Sequence, residues 1–287
     1  MTEIFKVFMG VLIFGLIFSS SYMILQNTDT VNHATLNAST SLTNSTAITQ
    51  FDIVRYPKIA EFFNNSLILL GDKWMDDVTN LKLLEDHLRE GHIYVTDRPN
   101  SRDAAVTSLV NGKIILNIVM LKDKTPNNPR DEIRFLSMIL HEIFHEKNHF
   151  GSIYTHDSTE IEKLKAIYKA ENETYIYEIM LLDKYIETLS KKCSKNKSTD
   201  CLWLLHSLIN EKHFSILVLN EYYSLGNEVS DNSIENLKTC SITVSKFLIK
   251  QKHTEDEWND IDESLKKCID KHKEIERELG VDSTTIL

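Results

Sequence analysis

Apolar residues recur every three or four positions through most of this chain, and that spacing predicts a mainly helical protein. The clearest stripe is Ile133, Leu136, Leu140, Ile143 and Phe144, which predicts one helix over residues 131–150. Pro126 and Pro129 precede it, Asp131 and Glu132 fall in its first turn, and Gly151 follows as a stop. Trp74, Val78, Leu81, Leu84 and Leu88 form a second stripe over 72–90, closed by Gly91. A long amphipathic helix is expected from Asp157, with Glu160 three residues on as a capping box. It carries Ile161, Leu164, Ile167, Tyr168, Tyr175, Ile176, Met180, Leu181 and Tyr185. Helical spacing continues over 202–219, 233–250 and 256–279. The mixed charge of 255–278 predicts an exposed helix there.

Between residues 92 and 121 the pattern changes. Segments 105–110 and 113–121 are rich in β-branched and apolar residues, and Asn111-Gly112 between them is a strong hairpin signal. Residues 92–96 are a further strand candidate. Together these elements predict an α+β fold, mainly helical. A small β-sheet with a hairpin packs on the helix over 131–150 and on the long helix after it, and a C-terminal helical region follows.

The N-terminus changes the picture. Lys6 precedes an apolar run over 7–18 broken only by Gly10 and Gly15, and Ser19, Ser20 and Ser21 follow. Residues 1–26 are expected to be a cleaved signal peptide or a retained single-pass membrane anchor. No Lys or Arg follows until Arg55, so the charge bias places the bulk of the chain outside the cytoplasm. Residues 27–50 are more than half Asn, Ser and Thr and are expected to be a flexible tether. The net charge of −10 and pI of about 5.6 argue against a phosphate-binding surface, so no nucleic-acid partner is expected.

Candidate chemistry sits on the first helix. Residues 141–145 read His-Glu-Ile-Phe-His, the pattern H-E-x-x-H. Helix positions four apart lie on one face with Cβ atoms about 6 Å apart. Two imidazoles there can reach one zinc ion at about 2.0–2.1 Å each. Glu142 is turned by about 100° from His141, beside the metal position, where a general base belongs. With these residues the chain resembles the HExxH zinc metallopeptidases, the zincins, over about residues 93–190. Charged Glu146 and Lys147 follow the second histidine, where those families usually continue with uncharged residues. The resemblance implies a strand beside the cleft that pairs with extended substrate. The segment 113–120 is the expected strand.

Catalytic zinc usually has three protein ligands. His149 lies a further turn along the same helix, too far along the axis to share the ion. Ala170-Glu171-Asn172-Glu173-Thr174-Tyr175 looks like the E-x-E-A-x element of gluzincin-type peptidases, with Thr174 in place of the usual Ala. That resemblance implies Glu173 as the third ligand, with Glu171 and Glu178 as alternatives. His156, in the loop after the first helix, would serve if the site is SprT-like. Tyr175 or Tyr177 could assist an oxyanion or simply be core.

Cys193, Cys201, Cys240 and Cys268 contain no C-x-x-C pair, and behind a signal segment an even count reads as disulfides. Cys193–Cys201 would staple a polar loop over 194–200, and Cys240–Cys268 would tie two helices. Spacing alone leaves all three connectivities open. The expected organisation is thus 1–26 signal or anchor, 27–50 tether, 51–192 zincin-like core and 193–287 helical region with disulfides. The expected function is an extracytoplasmic zinc-dependent endopeptidase acting on protein or peptide substrates, with metal ligands His141, His145 and Glu173 and general base Glu142. The alternative is a secreted or anchored helical interaction protein with a chance or inactive motif.

Overall fold

The computed structural model describes residues 46–47, 56–96, 104–107, 112–149, 159–223, 231–250 and 253–281. The segment 1–26, the loop 150–158 with His156 and Asp157, and Asn111 lie outside the described residues. Among the described residues the fold is mainly helical, with seven α-helices and a small mixed sheet packed on them. No helix among them is long and apolar enough to cross a membrane.

Four short strands make the sheet: β1 (Thr46–Ala47), β2 (Ile93–Thr96), β3 (Ala105–Thr107) and β4 (Ile114–Asn117), in the order β1-β2-β4-β3. β1 lies inside the segment read as a tether and pairs antiparallel with β2. β2 and β4 run parallel, Ile93 opposite Ile114. β3 and β4 form the expected antiparallel pair, with Val106 opposite Ile115. Gly112 takes φ 68°, a left-handed conformation that a residue without Cβ adopts freely. The strand expected over 113–121 stops at Asn117, whose side-chain Oδ1 accepts from the Val119 N–H at 3.1 Å and turns the chain. β4 is also flanked on both sides, so it cannot pair with substrate. Among the described residues the sheet's edges are β1 and β3, and β3 lies against the helix that bears the motif.

Helix α1 (Pro57–Leu70) was not expected from the spacing, although Ile59, Phe62, Phe63, Leu69 and Leu70 give it a buried stripe. Helix α2 (Val78–Glu90) begins later than expected, because the Asp77 side chain accepts from the Asn80 N–H at 3.1 Å and caps it there. Gly91 closes α2 at φ 69°, as its sequence position suggested.

The motif helix is α3 (Pro129–His149). Asn128 Oδ1 accepts from the backbone N–H of Arg130 at 3.0 Å and so starts it. Ile133, Phe135, Leu136, Ile139, Leu140 and Ile143 are buried along it. Phe135 stacks on Phe62 at 4.8 Å and meets Phe63 edge-on at 5.1 Å, which pins α3 to α1. Each such side chain contributes roughly 1.5–3 kcal/mol of burial. That anchorage fixes the rotation of α3, and with it the direction of its two motif histidines.

Helix α4 (Glu160–Asn196) is a 37-residue rod. Its capping box is Thr159 with Glu162, two residues beyond the expected Asp157 and Glu160. Tyr185 donates to Asp77 at 2.9 Å and Tyr177 to Asn80 at 3.3 Å, so α4 is tied to the start of α2. Helices α5 (Thr199–Val218), α6 (Asp231–Ile249) and α7 (Glu255–Leu279) follow, with a π-helical turn at Leu219–Tyr223 after α5. The polar loop expected over 194–200 is instead a tight turn: α4 runs to Asn196 and α5 begins at Thr199 under a Ser198 cap. Disulfides join Cys193 to Cys201 and Cys240 to Cys268, the pairing that links α4 with α5 and α6 with α7. α7 is charged but not merely exposed, since Trp258, Ile261, Leu265, Ile275 and Leu279 are buried along one side. One cluster of buried apolar residues runs from Ile59 to Leu265.

Candidate metal centre

His141 and His145 are both buried and project from α3 toward α4, their rings 4.9 Å apart. α4 crosses there and presents Glu171. Its Oε2 lies 3.5 Å from His141 Nε2, and its Oε1 lies 3.5 Å from His145 Nε2. Three donors held about 2.0–2.2 Å from one tetrahedral ion stand about 3.3–3.6 Å apart. His141, His145 and Glu171 therefore match a three-ligand metal site.

Glu173, the carboxylate implied by the resemblance, is not brought to the histidine pair. It faces His149 Nε2 at 3.8 Å and Lys169 at 3.8 Å, and its side chain is 45% exposed. Residues 171 and 173 lie about 200° apart around a helix. Only one of them can face the His141–His145 pair, and the packing of Ile179, Leu182 and Tyr185 in the core chooses Glu171. His149 is itself buried beside His145, ring to ring at 5.4 Å, and burial pushes its pKa down.

Glu178, the other alternative, stands behind His141. It accepts from His141 Nδ1 at 2.9 Å, from Ser137 Oγ at 2.7 Å and from Ser215 Oγ at 2.8 Å. With Glu178 oxygens accepting here, His141 Nδ1 carries the hydrogen and Nε2 points at the site. Thr174 does the same for His145. Its hydroxyl gives its one hydrogen to the Ala170 carbonyl at 2.8 Å, which leaves a lone pair 3.3 Å from His145 Nδ1. His145 Nε2 is then buried with no hydrogen-bond partner. A buried, unsatisfied lone pair is costly unless something electrophilic occupies the gap. Thr174 and Glu178 were legible as polar positions on the ligand helix, but their service to the rings depends on the angle between α3 and α4.

Glu142 is buried on the side of α3 that faces the sheet edge. Thr107 Oγ1, on β3, lies 2.8 Å from its Oε2 and 2.9 Å from its backbone carbonyl. Burial raises the Glu142 pKa, while His141, His145 and Thr107 oppose that rise. Such a group is poised to take a proton nearer neutrality. Burial also pushes the Glu171 carboxyl up, but its contacts with His141 and His145 outweigh it and hold the group well below the usual range. For His141, burial acts downward, and Glu171 and Glu178 overcome it, so the ring is held well above its usual value. The whole cluster favours positive charge at the centre of the triad.

Of the two tyrosines, Tyr175 lies beside the site, edge-on to His141 at 4.7 Å. Burial, then the charges of Glu171 and Glu178, push its hydroxyl well up, so it remains a neutral donor. Tyr177 belongs to the core: it stacks on Phe144 at 4.2 Å and its hydroxyl is engaged by Asn80. Thr107 was missed in the sequence; nothing in a short β-strand marks one threonine as a carboxylate partner. No protein-family model, curated protein or solved structure matches the chain, so its functional reading rests on this geometry.

Proposed function

We propose that this chain is a zinc-dependent endopeptidase working outside the cytoplasm, with His141, His145 and Glu171 as ligands and Glu142 as general base. The observation that carries the reading is the convergence of His141, His145 and Glu171 from two helices, with Glu171 3.5 Å from each imidazole and His145 Nε2 buried without a hydrogen bond. Zinc there would lower the pKa of a bound water and polarise a substrate carbonyl. Glu178 and Thr174 hold both rings with Nε2 toward the centre. Glu142, steadied by Thr107, takes a proton from the attacking water and later gives it to the leaving amine. Tyr175 is placed to donate toward a developing oxyanion. As an edge strand beside the motif helix, β3 would offer main-chain groups to an extended peptide, which would make recognition tolerant of sequence. Two disulfides fit an oxidising compartment, which supports export.

Glu142→Gln tests this reading. The variant keeps the shape of the site but cannot accept a proton. Zinc content should stay at one ion in the His141 centre while hydrolysis of a peptide library falls by about 10²–10⁴. Unchanged hydrolysis in Glu142→Gln would remove Glu142 from the chemistry. Retention of that zinc in His141→Ala would remove the site.

A further inference from the structure

A second histidine–carboxylate group lies beside α3, on the face that carries Glu142 and Glu146, and it does not depend on the reading above. His87 closes the last turn of α2. Gly91 then takes the left-handed turn, and the His92 N–H returns to the His87 carbonyl at 3.1 Å. That reversal brings two imidazoles five residues apart to a ring separation of 5.6 Å, nearly perpendicular. Glu146 of α3 reaches into the angle between them. Its Oε2 lies 3.3 Å from His87 Nε2, and its Oε1 lies 3.8 Å from His92 Nδ1.

The hydrogen-bond pattern of His87 is informative. Its Nδ1 meets the Leu83 carbonyl at 2.8 Å. A carbonyl only accepts, so Nδ1 carries the hydrogen. In the neutral ring Nε2 then presents a lone pair, and it presents it to a carboxylate oxygen. Two acceptors at that distance repel unless a proton or a metal cation lies between them. A backbone-anchored Nδ1 with Nε2 directed at a shared position is the usual support for a metal-bound imidazole. His87 is buried, so its ring is fixed in advance, whereas His92 is 41% exposed and leaves an open approach.

We infer that His87, His92 and Glu146 form a second divalent-metal site, open to solvent, beside α3 and sharing no ligand with the His141 centre. Two imidazoles and one carboxylate suit ions of intermediate softness such as Zn²⁺, Ni²⁺ and Cu²⁺. The donor separations of 3.3 and 3.8 Å bracket the about 3.3–3.6 Å edge of a small tetrahedral site. The site also gives a role to Glu146, the charged residue that follows the motif where uncharged ones are usual.

The test is calorimetric titration of Zn²⁺ alone into the metal-stripped full chain. His92→Ala changes an exposed side chain and should leave the far-UV circular dichroism intact. Glu146→Gln is the second variant, keeping size and removing charge. One zinc-binding event should weaken at least tenfold in each, and the same event should survive in His141→Ala. Zinc binding in His92→Ala and Glu146→Gln indistinguishable from wild type would overturn the site and leave a simple His87–Glu146 ion pair. So would loss of the same event in His141→Ala, which would assign that event to the other centre.

Discussion

Two buried charge clusters stand side by side in this molecule, and they are finished differently. In the first, His141, His145 and Glu171 converge and His145 Nε2 has no hydrogen-bond partner. In the second, Lys212 of α5 is 0% exposed, yet its ammonium meets Asp183 of α4 at 2.9 Å and Glu276 of α7 at 2.7 Å. A lysine inside a protein must be paired, and here one cation ties three helices together. The contrast separates a cluster that is closed within the fold from one that still calls for a ligand. Lack of a partner is not enough by itself. His272 lies in the core with neither nitrogen hydrogen-bonded, and burial, then the Lys212 charge, push its pKa well down. It is a neutral buried ring with no carboxylate converging on it. Convergence together with an unfilled lone pair distinguishes the His141 centre.

The sharpest way to break this comparison is to open the closed cluster. Lys212→Met should leave Asp183 and Glu276 without their cation and destabilise the chain by about 3–5 kcal/mol. Urea unfolding monitored by circular dichroism measures it. Zinc affinity at the His141 centre should change little, because Lys212 touches none of its ligands. A large loss of zinc with little loss of stability would mean that the Lys212 network serves the site and that the two clusters are one.

How much of this was readable beforehand differs between the clusters. The histidine pair and Glu142 were legible because a five-residue motif on one helix fixes their relative positions through helix geometry alone. The helix boundaries of α3, α6 and α7 followed from apolar spacing. The third carboxylate was not legible, because Glu171, Glu173 and Glu178 all lie on one amphipathic helix. Which of them meets both motif histidines depends on how α4 is rotated, and that is set by distant contacts such as Tyr185 with Asp77. Lys212 was invisible for a related reason: a lysine in a helix reads as exposed until its two partners arrive from other helices. The edge of the sheet was misplaced because strand order depends on a parallel pairing, β2 with β4, that local patterns do not encode.

Glu211 lies between the clusters and offers a smaller, pH-dependent test. Burial, then the charge of Glu178, raise its pKa to about 7, with Arg134 at 4.0 Å opposing. Its unfolded value is near 4.5. Between those values the unfolded chain has released the proton and the folded chain still holds it. Stability contributed by this group is therefore fully present below about pH 4.5, and it declines as pH rises through 7. At one unit per 1.36 kcal/mol the penalty above pH 7 is at most roughly 3 kcal/mol. Glu211→Gln should relieve it, raising stability at pH 8 while changing little at pH 5. Equal effects at both values would show that Glu211 does not hold its proton through that range.

The finest test touches the join between closure and function. Glu178 is hydrogen-bonded on all sides like a residue of the Lys212 network, yet its partner His141 belongs to the centre. In Glu178→Gln the shape is kept, but the amide must turn its NH₂ toward either a serine hydroxyl or His141 Nδ1. Against the serines, the hydroxyls can rotate to donate elsewhere or to accept. Against His141, two N–H groups collide, so the amide keeps its oxygen toward Nδ1, and the ring loses the negative charge that raises its basicity as a ligand. Loss of such an orienting carboxylate typically weakens metal affinity by about 10–100-fold. The expected result is zinc affinity reduced within that range, with His145 and Glu171 still in place and the unfolding midpoint little changed. Unchanged zinc affinity would show that the charge of Glu178 adds nothing to His141 as a ligand, and would make Glu178 a packing residue of the closed kind.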